Sequence, residues 1–239
     1  MKILVTGISG RMGQAVKQAV ELNPETELGS THDVGQDVVA AMQQADCAID
    51  FSFHGFTPEL LNTAVAQGKP LVIGTTGHTE EEKAMIFAAA KELPVFYSGN
   101  MSLGIAVLCK LAKEAAAFFP DADIEIVETH HTRKVDAPSG TAKMLFNAIK
   151  EVRPNAVENC GRSGEGKRTQ SEIGIHALRL GNVVGIHEVH IHTGSQSLTL
   201  KHEAHTRAML ADGAVVAARF MEGKSSGLYT MTELLEAQA

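Results

Sequence analysis

The chain has no tryptophan and only two tyrosines in 239 residues. It has three cysteines, Cys47, Cys109 and Cys160. Their number is odd and none forms a Cys-x-x-Cys pair, so neither a disulfide framework nor a thiolate metal site is written here. They read as reduced, and mostly as packing residues. No apolar run reaches the roughly 18 residues of a membrane-spanning helix. Positive charge is not in excess: 21 Lys and Arg against 28 Asp and Glu give a formal net charge of -7. That excludes a global basic footprint for nucleic acid. The opening "MKILVTGISG" passes from a short apolar run straight into glycines, without the apolar core of a secretory signal. The expectation is a soluble cytoplasmic protein without internal repeats or low-complexity segments.

What is present is ordinary in amount and ordered in pattern. Hydrophobic residues make up 44% and charged residues 21%, enough for one large domain or two modest ones with real cores. In the first half, short apolar runs ("KILVTG", "TELGSTHD", "CAIDFS", "PLVIGTTG", "PVFYSGN") alternate with helical segments. "GRMGQAVKQAVELN" places Met12, Val16, Ala19 and Val20 on one face. "TPELLNTAVAQG" opens on a Thr-Pro pair and closes at Gly68. Strands separated by helices imply a parallel sheet with right-handed crossovers. The second half differs. A long helix over 102–119 and the strand "DIEIVE" precede a helix over 139–152 and a polar, glycine-rich loop. "SEIGIHALRLG", "NVVGIHEVHIHTG" and "SQSLTLKHEA" follow, joined by tight turns at Gly181-Asn182 and Gly194-Ser195, and read as antiparallel strands. "DGAVVAARFMEG" reads as a helix returning to the first domain. The expected class is α/β: a Rossmann-like doubly wound parallel sheet plus an inserted α+β domain with a mixed, largely antiparallel sheet. The expected domains are 1–102 with 207–239 for dinucleotide binding, and 103–206 for substrate binding and oligomerisation.

Gly7, Ile8, Ser9, Gly10, Arg11 and Met12 join the first strand to the first helix. Glycines there permit a tight turn and let backbone approach a pyrophosphate at the helix N-terminus. The pattern expects an acid about 20 residues on for the adenine ribose, and Asp33 falls at the end of the second strand. Val34 follows it, with no arginine for a 2′-phosphate, which slightly favours NADH, although a Lys or Arg from another loop could still serve NADPH. Two more loops belong to the same sheet edge: Gly74, Thr75, Thr76 and Gly77, then Ser98, Gly99, Asn100 and Met101. They suit a nicotinamide carboxamide. Turn chemistry alone explains the glycines equally well.

The densest stretch is "ETHHTRKVDAPSGTA", residues 128–142. Ser139 or Thr141 is the expected N-cap of the next helix. The amides of Ser139, Gly140 and Thr141 would then form an anion pocket. A strand end carrying His130, His131 and Lys134 opposite it makes a receptor for a small dicarboxylate. A surface loop beside a capped helix is the plain alternative.

"HHTRKVDAPSGTA", with "GISGRMG", "GTTG" and "SGNMSLG", resembles the dihydrodipicolinate reductase family along nearly the whole chain, as far as "KSSGLYTMTELL". The resemblance implies reduction to tetrahydrodipicolinate with NADH or NADPH in bacterial lysine and diaminopimelate synthesis. It implies His130 as proton donor or acceptor, Lys134 as proton donor, and His131, Ser139, Gly140 and Thr141 as substrate contacts. It implies 7–12, Asp33, 74–76 and 98–101 as cofactor contacts, and a homotetramer built through the sheet of the second domain. Val34 and the turn "DFSFHGF" depart from the family pattern, and His54 in that turn either touches the cofactor in an unusual way or does nothing. The basic loop residues Arg162, Lys167 and Arg168 read as solvated and mobile, with steering of an anion as the alternative. A short-chain reductase would need Tyr-x-x-x-Lys, but Tyr97 is followed four on by Met101 and Tyr229 by Glu233. There are 11 histidines, with His190 and His192 on one strand face after His187, yet no acid pattern accompanies them and no metal site is expected.

Overall fold

Parallel strands whose side chains are buried on both faces need helices on both faces, and the first half of the chain supplies them. A computed structural model describes residues 1–238. It divides into two compact units, Met1–Leu103 with Arg207–Ala239, and Gly104–Thr206.

The first unit holds β1 (Lys2–Thr6), α1 (Arg11–Leu22), β2 (Glu27–His32), α2 (Val38–Gln43), β3 (Cys47–Asp50), α3 (Thr57–Gln67), β4 (Leu71–Ile73), α4 (Glu80–Ala89) and β5 (Pro94–Tyr97). A short 3-10 turn, His54–Phe56, precedes α3. The sheet is parallel throughout, and β1 lies between β2 and β3. Leu4, Ala48, Leu71 and Val95 pack against Met42, Leu60 and Ile86 of the helices on one face. The segment from Arg207 adds α7 (Ala208–Phe220), which packs on α1, and a sixth strand, Gly227–Tyr229, pairing with β5. α2 and the sixth strand were not anticipated; both are too short to show a period. Because the strands are parallel, the loops after β1 to β5 all leave the same sheet edge, where ligands bind in open α/β sheets.

The second unit begins with α5 (Leu103–Phe118), β6 (Asp123–His130) and α6 (Gly140–Val152). Four strands follow: β7 (Val157–Cys160), β8 (Glu172–Arg179), β9 (Gly185–His192) and β10 (Ser197–Ala204). The sheet order is β10-β9-β6-β8-β7. Ile124, Ile126, Ile173, Ile175, Val189 and Ile191 pack with Leu108, Leu145, Phe146 and Ile149 of the helices. The sheet is mixed, as read. The antiparallel run read into 171–204 holds for β9 and β10 and fails for β8. β8 runs parallel to β6 and β7, and β6 separates it from β9. The turn at Gly181-Asn182 therefore joins strands that are not neighbours. Alternation along β8 marks its faces but not its partner, and two hydrogen-bonded edges of β6 outcompete a hairpin.

The basic loop is also a correction. The Arg168 guanidinium bonds Glu125, Asp123 and the carbonyls of Ile124 and Glu172, and Arg162 pairs with Glu172. Arg162 and Arg168 thus tie the loop to the ends of β6 and β8, while Lys167 stands exposed.

Candidate active site

The first candidate region is made mostly of backbone. Gly7 follows β1 at φ 71°, and a Cβ there would stand 2.5 Å from the carbonyl oxygen of Phe51. Only glycine satisfies both conditions. The Gly10 amide donates to the Gly7 carbonyl at 3.0 Å, closing the turn. Gly10 caps α1 without a side-chain bond, and the first turn of α1 holds no acid. Its positive end is thus left for an anion. Arg11 and Met12 are the first residues of that helix. Ile8 donates to the His32 carbonyl, and the Ser9 amide donates to Asp33 Oδ2 at 2.7 Å. The bond from Ser9, then that from Val34, holds the Asp33 carboxyl below its ordinary range. A cavity of about 620 Å³ opens here, lined among others by Gly7, Ser9, Gly10, Asp33 and Val34. Its backbone approach, helix start and ionised acid fit a dinucleotide's pyrophosphate and ribose.

Behind the loops sits Asp50, wholly buried. It accepts from the hydroxyls of Thr6 at 2.5 Å, Ser52 at 2.5 Å and Thr75 at 2.6 Å. One carboxylate thereby pins the ends of β1, β3 and β4. Thr75 is buried with its hydroxyl on Asp50, while Thr76 and Gly77 are exposed. Ser98 donates to the Asn100 carbonyl, Gly99 is exposed, and Met101 is buried in the core. Of these two loops, Gly74 to Thr76 and Ser98 to Met101, none of the residues lines the 620 Å³ cavity.

The second region is made of side chains. His130 ends β6, and Glu128, two residues before it, shares its face. Glu128 is wholly buried. Arg179 at the end of β8 donates to both its oxygens, each at 2.9 Å. The Ser139 amide donates to Oε1 at 3.0 Å, and His130 Nδ1 stands 2.5 Å from Oε2. Burial alone would raise the Glu128 carboxyl. The bonds from His130 and Arg179 outweigh it and hold the group at about 2. The carboxylate is therefore ionised, so Nδ1 of His130 carries the hydrogen and donates. Nε2 is left as the exchangeable position. A Cβ at Gly185 would stand 3.1 Å from that nitrogen, so glycine keeps the ring edge clear.

His187 crosses His130 edge-on, with ring centroids 5.0 Å apart, and its Nε2 lies 3.3 Å from Ser139 Oγ. Burial, then the charge of His130, pushes His187 down to about 3. Ser139 is the N-cap of α6, accepting from the Ala142 amide. The three-amide anion pocket is thus corrected: the Ser139 amide is taken by Glu128, leaving Gly140 and Thr141 as the opening residues of the helix. Lys134 Nζ pairs with Asp136 at 2.8 Å. His131 follows directly on β6, and its carbonyl accepts from the Lys134 amide. His130, His131, Lys134 and Ser139–Thr141 are thus gathered on one end of this unit.

Sequence reading missed Glu128, Arg179, His187 and Asp50. Glu128 had a signal, since it stands at i−2 from His130 on a strand. Arg179 lies 51 residues from Glu128 and had none. His190 and His192 bond Thr199 and Ser197 across β10, and among the described residues no group of three His, Cys, Asp or Glu is placed to hold a metal.

A parallel sheet with a glycine cradle, joined in one chain to an acid-anchored histidine beside a helix start, defines a two-part oxidoreductase of the dinucleotide type. Comparison with known proteins sharpens the class. Residues 1–101 match the family described as dihydrodipicolinate reductase, N-terminus, and residues 104–235 match its C-terminus. The chain belongs to the dihydrodipicolinate reductase family, a family of lysine and diaminopimelate biosynthesis. It is 48% identical over 240 residues to the 4-hydroxy-tetrahydrodipicolinate reductase of Akkermansia muciniphila, covering 98% of each chain. It is 42% identical to that of Caldanaerobacter subterraneus subsp. tengcongensis, covering 99% of this chain and 98% of the other. Among solved structures, a dihydrodipicolinate reductase from Paenisporosarcina sp. TG-14 with dipicolinate bound superposes with a TM-score of 0.81. It is 25% identical and covers 96% of this chain and 97% of the other.

Proposed function

We propose that this protein reduces the unsaturated cyclic dicarboxylate derived from 4-hydroxy-tetrahydrodipicolinate to tetrahydrodipicolinate, with NADH preferred over NADPH. The observation that carries the chemistry is the buried Glu128 carboxylate, which fixes the tautomer and orientation of His130. Residues 7–12, Asp33, 74–76 and 98–101 hold the dinucleotide, whose reduced nicotinamide supplies a hydride when bound. Asp33 takes the ribose hydroxyls, and Val34, 95% exposed, offers a 2′-phosphate no cation.

His130 delivers a proton from Nε2 to the substrate carbon or nitrogen that gains electron density as the ring is reduced. The ionised Glu128 stabilises the imidazolium before transfer and keeps Nδ1–H oriented after it. Lys134 draws a substrate carboxylate in competition with Asp136 and serves as a second donor. His131, Gly140 and Thr141 contact the carboxylates, aided by the positive end of α6, and Ser139 positions that helix start through Glu128 and its cap. Positioned acid catalysis contributes roughly 10²–10⁴-fold. In this reading the enzyme acts in the cytoplasm as a homotetramer assembled through the sheet of its second unit. Among the described residues, no helix is long and apolar enough to cross a membrane.

Steady-state titrations with NADH and NADPH, on substrate supplied by the upstream synthase, test the proposal. Substrate-dependent nicotinamide oxidation with a higher kcat/KM for NADH is expected. Binding of dinucleotide without turnover would point instead to a non-catalytic sensor.

A further inference from the structure

Aromatic residues are scarce in this chain, with nine phenylalanines and no tryptophan. Three of the nine, Phe51, Phe53 and Phe56, line the 620 Å³ cavity beside the glycine loop. Phe51 and Phe56 are half-buried, but Phe53 is 64% exposed. A large apolar side chain left open at the mouth of a cavity is a candidate ligand surface.

The ring is held, not loose. It lies over Gly55, where a Cβ would stand 2.6 Å from the Phe53 ring. Any side chain at 55 would displace it. The His54 ring supports it, with centroids 4.2 Å apart and planes 54° to each other. His54 Nδ1 is in turn fixed 3.0 Å from both oxygens of Glu82. Glu82 is the third residue of α4 and closes its capping box with Thr79. Behind the phenyl ring, then, stands a histidine anchored to a helix start.

The cavity's lining says which half of a dinucleotide belongs there. It takes residues from the loops after β1, β2 and β3, and none from those after β4 and β5. With β1 between β2 and β3, the pyrophosphate falls at the glycine loop and the ribose at Asp33. The base lies further along the same wall, between the loops after β2 and β3. We propose that Phe53 is the stacking platform for the adenine ring, a positioning residue for the cofactor supplied by the unusual "DFSFHGF" turn. This rests on the dinucleotide reading above.

Stacking on an aromatic side chain tolerates any base, because each has a π-face. Isothermal titration with ADP-ribose, which has the adenosine half and no nicotinamide, isolates the contact. Phe53→Ala should weaken ADP-ribose and NADH by roughly 5- to 100-fold. The KM for NADH should rise by a similar factor with kcat within about twofold. Phe53→Trp should keep the parent affinity, and its only tryptophan should lose fluorescence on ADP-ribose binding. ADP-ribose affinity within twofold of the parent in Phe53→Ala, or unchanged tryptophan emission at saturation, overturns the assignment. If the parent chain binds neither NADH nor ADP-ribose, the dinucleotide reading itself falls, a result distinct from loss of the Phe53 contact alone.

Discussion

The two candidate regions are built from different materials. In the first unit, backbone does most of the positioning: Gly7 at positive φ, the open start of α1, and loop ends pinned from beneath by Asp50. In the second, side chains do it: one buried carboxylate gathers a histidine, an arginine and a helix-start amide. A backbone cradle depends on the absence of side chains and fails when one is added. A charged network depends on every member and fails when one is removed, because the remaining buried groups lose their partners.

That difference orders the experiments. The largest effect should come from Glu128→Ala, which leaves Arg179, His130 Nδ1 and the Ser139 amide without their shared acceptor. A loss of about 3–5 kcal/mol in urea unfolding is expected. A midpoint equal to the parent's would show that the network carries little. Lys134→Ala removes charge without opening the core, since its partner Asp136 is exposed. Its rate should fall by roughly 10²–10⁴-fold while its melting temperature stays close to the parent's, the opposite balance to Glu128→Ala. Gly7→Ala probes the cradle. Strain at positive φ should cost about 1–3 kcal/mol, and calorimetry should show dinucleotide affinity falling with it.

The last effect is read as a slope with pH rather than as a loss at one pH. His187 titrates near 3 in the fold against an ordinary 6.5, so folding favours its neutral ring. Its contribution is fully present above pH 6.5 and is lost as pH falls towards 3. Over that window stability should drop by up to about 1.4 kcal/mol per pH unit. His187→Gln should flatten the slope measured by urea midpoints at pH 7 and pH 4.5, and an identical slope in both proteins would exclude His187 as its source.

The same contrast explains what could be read in advance. Glycine turns, the Ser139 cap and the βα alternation are local patterns, and a single sequence displays them. Glu128 was half legible, two positions from His130 on a strand whose faces alternate. Arg179 and His187 were not, because only the pairing of β6 with β8 and β9 brings them to Glu128 and Ser139. The order of β8 in the sheet was misread for the same reason. Pairing is decided by which edge of β6 each strand finds, and that is not a property of either strand alone. Arg168 looked solvated because its acidic partners, Asp123 and Glu125, lie more than 40 residues earlier; Arg162 instead pairs with Glu172 at the start of β8.

The central claim is that Glu128 holds His130 as the proton-transferring group of a dinucleotide-dependent reduction. It is tested most directly by the rate of NADH oxidation in His130→Ala with substrate from the upstream synthase, with NADH affinity measured separately by calorimetry. The account predicts a rate roughly 10²–10⁴-fold below the parent with NADH affinity within a few-fold. A rate within a few-fold of the parent would contradict it.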